Sequence, residues 1–87
     1  MEPALRNGEV YLFRRGARVR EGDVVILRHP QRPELLTVKR AVRPEASGWW
    51  VEGDNPAASN DSREFGAVPA SLVLGRVVMR IRPLRRD

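Results

Sequence analysis

Glycine and proline break this chain before a helix of ordinary length can form. There are seven of each among 87 residues, and short apolar or β-branched runs lie between them. Val10-Tyr-Leu-Phe13 follows the turn signal Asn7-Gly8, and Val24-Val-Ile-Leu27 follows Gly22-Asp23. Leu35–Val42 follows the proline-bearing His29–Pro33, and Trp49-Trp-Val51 follows Ala46-Ser-Gly48. Leu72-Val-Leu74 and Val77–Ile81 complete the set. No long stretch repeats its apolar residues with helical period, and no internal repeat or low-complexity segment is present. The pattern predicts an all-β fold: five or six short strands in a small, strongly bent sheet or partly closed barrel, with one long polar loop. Leu35–Val42 and Trp49–Val51 lie close enough to pair as a hairpin, and a short helical turn fits Pro69–Leu72.

Size and residue types then exclude several classes of function. A chain of 9.9 kDa is one domain with a thin core. The absence of cysteine removes disulfides and thiolate metal sites. With His29 the single histidine, a zinc site built from several imidazoles is excluded as well. No run approaches the roughly 20 apolar residues of a membrane-spanning helix, and no signal-peptide pattern is present. No cofactor or metal is expected, and the expected location is cytoplasmic.

The net charge of +5 invites a nucleic-acid reading, so its placement matters more than its sum. Residues 1–40 carry nine basic and five acidic groups, residues 41–75 two and five, and residues 76–87 five and one. The excess is therefore heavy in the last segment, where a charged strand end accounts for it. No aromatic residue interleaves with those arginines as a stacking platform would, so no nucleic-acid partner is expected. Attraction to a membrane surface remains open for them.

Two features stand out against this background. Fifteen of the 16 basic residues are arginine, and the exception is Lys39. It sits within Leu35–Val42, where alternation puts Leu35, Thr37, Lys39 and Ala41 on one face and Leu36, Val38, Arg40 and Val42 on the other. Both faces are largely apolar, so this strand is expected to be covered on both sides. Burial lets a lysine side chain become a neutral amine, which arginine cannot do. A neutral amine is a general base able to take a proton from a serine hydroxyl. An ion-paired or snorkelling edge lysine fits the same residues. The second feature is the 14-residue loop Gly53–Gly66, long for a compact domain and rich in Asn, Asp and Ser, whose side chains bond the local backbone. It reads either as a capped surface turn or as a rigid support for a site.

Several segments in order resemble the type I signal peptidase family of serine–lysine peptidases. Met1-Glu-Pro-Ala-Leu-Arg-Asn-Gly-Glu-Val10 is similar to the segment that follows the family's nucleophile, Ser-Met-x-Pro-Thr-Leu and a Gly-Asp turn. Gly22–Pro30 resembles the next strand, and Val38-Lys-Arg-Ala-Val42 the lysine box. Gly53–Gly66 resembles the last box, Gly-Asp-Asn followed by Ser-x-Asp-Ser-Arg-x-x-Gly, and Leu74-Gly-Arg76 the ending. The match covers about residues 1–83 in family order. Within the family, Trp49–Ser59 most resembles the maturation proteases of nickel-type superoxide dismutase. The resemblance implies that Lys39 is the general base and that Ser59 orients its amine. It implies that Asp61 and Arg63 pair to hold the loop, with Ser62 beside them, and that Gly53, Asp54 and Asn55 start it. The partner it implies is a protein substrate with a cleavable N-terminal leader, bound as an extended strand.

The chain also departs from the family. The nucleophilic serine would stand immediately before Met1, close to Pro3, and none of Ser47, Ser59, Ser62 or Ser71 matches its position. As given, the chain is expected to hold the base and its supports without the nucleophile. The reason would be an internal start, trimming, or descent from an inactive relative. Residues 1–83 are accordingly expected to be one signal-peptidase-like domain, incomplete at its N-terminus, with a basic tail over residues 84–87. No membrane anchor is expected within this chain, though one upstream would bring it to a membrane. Smaller departures are Ala4 for the usual threonine and Glu9 for the usual aspartate. The alternative function is a non-catalytic basic β-barrel that binds nucleic acid or a peptide or protein partner.

Overall fold

The computed structural model describes residues 1–6, 8–55 and 60–81. In chain order these form β1 (Glu2–Arg6), β2 (Glu9–Arg15), β3 (Val24–His29), β4 (Arg32–Glu45), β5 (Gly48–Glu52), the helix α1 (Ser62–Phe65), a 3₁₀ turn (Ala70–Leu72) and β6 (Val73–Ile81). All six strands join one antiparallel sheet in the order β1-β2-β6-β3-β4-β5. The fold is all-β, and of the two expected forms it takes the open one: β1 and β5 are the sheet edges. No helix among the described residues is long and apolar enough to cross a membrane.

Every apolar run picked out by sequence lies in an extended element except for Leu72, which ends the 3₁₀ turn, and Leu35–Val42 pairs with Trp49–Val51 as expected, with Ala41 opposite Val51. Two elements differ from expectation. Glu2–Arg6, not read as a strand, pairs with β2 from Glu2↔Phe13 to Arg6↔Glu9. The dipeptide Asn7-Gly8 in the sequence between them is the signature of a tight hairpin, and it was the signal for β1. Val73–Leu74 and Val77–Ile81, read as parts of two runs, fall on one strand, β6. Gly75 breaks nothing because it is where β6 crowds β2. A Cβ there would run into the Arg14 carbonyl and the Phe13 ring, so a bare Cα is the condition for pairing.

The two faces of the sheet are covered differently. On one face Val25, Leu27, Ala41, Val51 and Val68 form the fully buried core, with Val19, Trp49, Phe65, Leu72 and Val73 packed around it. Val68 joins by exchanging backbone hydrogen bonds with Trp49, 2.7 and 2.8 Å long. Ile26 points to the opposite face from Val25 and Leu27. It shares a row with Gly75 and Arg15, which places Tyr11 and Phe13 on its side as well. These three side chains are also buried. At about 25 cal/mol per Å² of apolar surface removed from water, each large buried side chain contributes about 2 kcal/mol, so a core this small leaves little margin.

The contact at Gly75 yields a test. Gly75→Ala should lower stability by about 3 kcal/mol, read as a drop in the urea midpoint, because the backbones of β2 and β6 must part to admit the methyl group. An unchanged midpoint would show that the two strands are not packed this closely.

Candidate functional site

The site begins where β5 ends. Arg40 pairs with Glu52, so the next residue of each strand brings Lys39 opposite Gly53. A Cβ on Gly53 would stand 3.4 Å from Lys39 Nζ and 3.8 Å from Asp61 Oδ2. The missing side chain is the space in which the amine and the carboxylate meet the turn. Lys39 itself is half-buried, and it makes no ion pair with a described residue.

β4 is not covered on both sides as expected. Thr37 and Ala41 are buried on the core face, whereas Leu36, Val38 and Val42 are half-buried and Arg40 is exposed on the other. The reason is topological: that second face lines an open groove. Its volume is about 470 Å³, and its walls include Tyr11, Val24, Val38, Lys39, Arg40, Asp54 and residues 77–80. β3 pairs with β6 only as far as Val25↔Arg76. Among the described residues, β6 beyond Arg76 therefore has a free edge on the side away from β2, along this groove.

The polar loop is held from below by one carboxylate. Asp61, fully buried, caps α1 by accepting from the Arg63 backbone N–H at 3.0 Å. It also accepts from Gly53 N–H at 2.9 Å and from the Arg63 guanidinium at 3.1 and 2.6 Å. The guanidinium, together with these two backbone donors, outweighs the cost of burial and holds the Asp61 carboxyl far below the usual carboxylate range. Next to it, buried Ser62 accepts from Val51 N–H through Oγ at 2.8 Å, which ties α1 to β5. With Oγ engaged and the residue buried, Ser62 is not available as a nucleophile.

Asp54 takes part differently. It forms a two-pronged pair with Arg40, both contacts 3.0 Å, and Arg40 also donates to the Gly22 carbonyl at 2.9 Å. The Arg40 guanidinium lowers the Asp54 carboxyl, and the pair straps the start of the loop to β4 at the mouth of the groove. Asn55 follows it, exposed. Ser59, expected to orient Lys39, lies outside the described residues, as do the tail residues 84–87.

Met1 and Pro3 do not line the groove. β2, β6 and β3 stand between β1 and β4, and none of the described residues lining the groove comes from β1.

Three features of the site were not found by sequence reasoning. Tyr11 reaches the groove from β2, its hydroxyl donating to Glu9 Oε1 at 2.8 Å. Burial and then Glu9 raise its phenol above the ordinary value. Four residues of the polar loop, Ser62–Phe65, are helical; the Asp61 cap followed by Glu64 was the available signal. His29, read at first only as too few for zinc, is a buried anchor. Its Nδ1 accepts from Gln31 N–H at 3.1 Å, so Nε2 donates to Asn60 Oδ1 at 3.1 Å. Its ring meets Phe65 edge-on at 5.0 Å. Among the described residues no group of three or more His, Cys, Asp or Glu is placed to hold a metal ion.

The Asp61 cluster predicts a pH dependence. A carboxylate lowered in the folded state stabilises the fold fully above its unfolded pKa of about 4, and this stabilisation is lost as pH falls below that value. Asp61→Asn should cost about 2 kcal/mol at neutral pH. The gap between variant and parent urea midpoints should shrink on going to pH ~3. A gap that does not change with pH would remove the charge from this account.

The sequence can now be set beside known proteins. The profile of the Peptidase S24-like family matches residues 1–78. Mitochondrial inner membrane protease subunit 1 of Xenopus tropicalis is 31% identical over 97% of this chain and 65% of its own length. Subunit 2 of the same-named protease in Schizosaccharomyces pombe is 34% identical over 94% of this chain and 56% of its own. The Arabidopsis thaliana mitochondrial ATP-independent inner membrane protease subunit 1a is 32% identical over 84% and 56%. The chain thus spans between about half and two-thirds of the length of these relatives. No solved structure matches it. A profile that runs from the first residue through the lysine strand and the polar loop to β6 identifies this chain as a member of the Peptidase S24-like family.

Proposed function

We propose that this chain is the catalytic core of a serine–lysine peptidase that removes a leader or propeptide from a protein substrate. The observation that carries the reading is the seat of Lys39. One amine, free of ion pairs among the described residues, lies against Gly53 and lines an open groove. The loop it faces is locked by Asp61, Ser62 and Arg63. Asp61 is taken up by Arg63 and by the Gly53 and Arg63 backbone N–H groups and forms no ion pair with Lys39.

In this reading the substrate lies extended along the free edge of β6, as an added strand. The nucleophile is the serine that the family resemblance puts immediately before Met1. Its hydroxyl attacks the scissile carbonyl while Lys39 takes the proton. The amine then returns that proton to the leaving nitrogen, and an acyl-enzyme remains. Water, deprotonated by the same amine, hydrolyses the ester. Ser59 orients the amine, and Asp54 with Arg40 keeps the loop at the groove's edge. The relatives' names add a second protease subunit and the face of an inner membrane as the setting. The resemblance over Trp49–Ser59 adds a narrower substrate, the precursor of nickel-type superoxide dismutase. Nickel would then belong to the substrate.

The test is an assay of leader removal from precursor proteins, the superoxide dismutase precursor among them. It uses the chain translated together with any coding sequence upstream of Met1. Lys39→Met should lower the rate by about 10²–10⁴-fold, the usual contribution of a general base, with an unchanged urea midpoint. Equal cleavage by the lysine variant, or a residue other than serine before Met1, would sink the proposal.

A further inference from the structure

His29 is buried at the end of β3, its residue only 3% exposed. Both ring nitrogens are used: Nδ1 accepts from Gln31 N–H, and Nε2 donates to Asn60 Oδ1, each at 3.1 Å. The two partners in the second bond are not alike. Asn60 is exposed, so water can replace the histidine there. The imidazole N–H is buried, so losing Asn60 leaves a donor unpaired, and an unpaired buried donor costs more than the bond itself is worth. The burial of the ring therefore holds Asn60 to β3. Phe65 closes on the same ring edge-on from α1, at 5.0 Å.

A short path leads from this bond to Lys39. Asn60 precedes Asp61, whose carboxylate accepts from Gly53 N–H at 2.9 Å. Gly53 in turn leaves room for the amine: a Cβ on it would stand 3.4 Å from Lys39 Nζ. From the sheet side, β3 pairs with β4 from Val24↔Arg40 to His29↔Arg32, with Val25 opposite Lys39. β3 thus reaches the lysine twice. It does so through the ladder at Val25, and again through His29, Asn60, Asp61 and Gly53 around the amine. Opened at Asn60, this frame keeps its hydrogen bonds at Gly53 and Val51 and loses the one to β3. The Asp61–Gly53 turn is then free to shift against the strand that carries the lysine.

We propose that His29 is a positioning residue for Lys39: through Asn60 it fixes where Asp61 and Gly53 stand against the amine. The inference rests on the reading of Lys39 as the general base, and His29 itself touches no reacting atom. Small displacements of a reacting group are costly in rate, which is why a bond this far from the groove bears on the chemistry.

The test uses the fact that Lys39 is the only lysine. In a chain grown on isotope-labelled lysine its side chain gives one NMR signal, readable whether or not the protein cleaves anything. His29→Leu and Asn60→Ala should each move that signal, and the double variant should move it no further than either alone. His29→Gln, whose amide N–H reaches about as far as Nε2, should leave it in place. In the precursor assay the first two variants should lower kcat about tenfold with KM within about twofold. His29→Gln should keep kcat within about threefold of the parent. If His29→Leu does not fold, Asn60→Ala, a change at an exposed residue, carries the test by itself. Three results would each overturn the proposal. They are a Lys39 signal that stays in place in Asn60→Ala while the urea midpoint falls, a loss confined to KM, and equal displacement of the signal by His29→Gln and His29→Leu. Absence of cleavage by the parent chain would instead sink the peptidase reading, and the signal would still decide whether His29 positions the amine.

Discussion

Everything around Lys39 depends on the carboxylate of Asp61 being buried and fully bonded. A charge with no exposure is tolerable only when each acceptor position is used. Here the Gly53 N–H, the Arg63 N–H and the Arg63 guanidinium use them. One oxygen starts α1, while the other holds the turn that leaves β5. The loop is thereby closed at two points eight residues apart, and Ser62 adds a third tie to the Val51 backbone. The described ends of the loop, at Gly53 and at Asp61–Arg63, are tied together by one acid placed where the sheet can bury it.

That shape gives Lys39 its surroundings. β4 presents the lysine toward Gly53, whose bare Cα leaves the amine room beside the turn. β3 starts late, at Val24, so among the described residues the edge of β6 away from β2 runs on past it unpaired. Groove and free edge are thus consequences of strand lengths. An open sheet with an unpaired edge is ordinarily at risk of association; here the edge opens onto a groove flanked by Arg40 and Arg80, which suits an extended peptide.

The arginines divide along the same lines. Arg40 and Arg63 are held by Asp54 and Asp61 and serve the loop. Arg14, Arg18, Arg20 and Arg76 form no ion pair with a described acid and line one hollow with Asp23. The charge surplus over residues 1–40 is spread along the chain, and strand pairing gathers part of it with Arg76 into that hollow.

Several parts of this molecule were legible in its residues alone. Glycine and proline spacing excluded long helices, and the runs between them marked the strands, because a short β-branched segment between turn formers has few other uses. The lone lysine and the long polar loop were also visible, as residue types that chemistry needs in those places. Other parts were not. Gly75 looked like a breaker because nothing local tells of the Arg14 carbonyl pressing on it from another strand. Both faces of β4 read as covered because alternation records polarity and not which neighbours arrive. Pairing Arg14 with Arg76, and laying Leu5, Val10 and Ile81 in one row, required the register of three strands. The sequence by itself determined the element types, which follow from local backbone and side-chain preferences. Only the tertiary structure decided which charges meet, which stay apart and where the sheet is left open, because those depend on contacts between residues far apart in the chain.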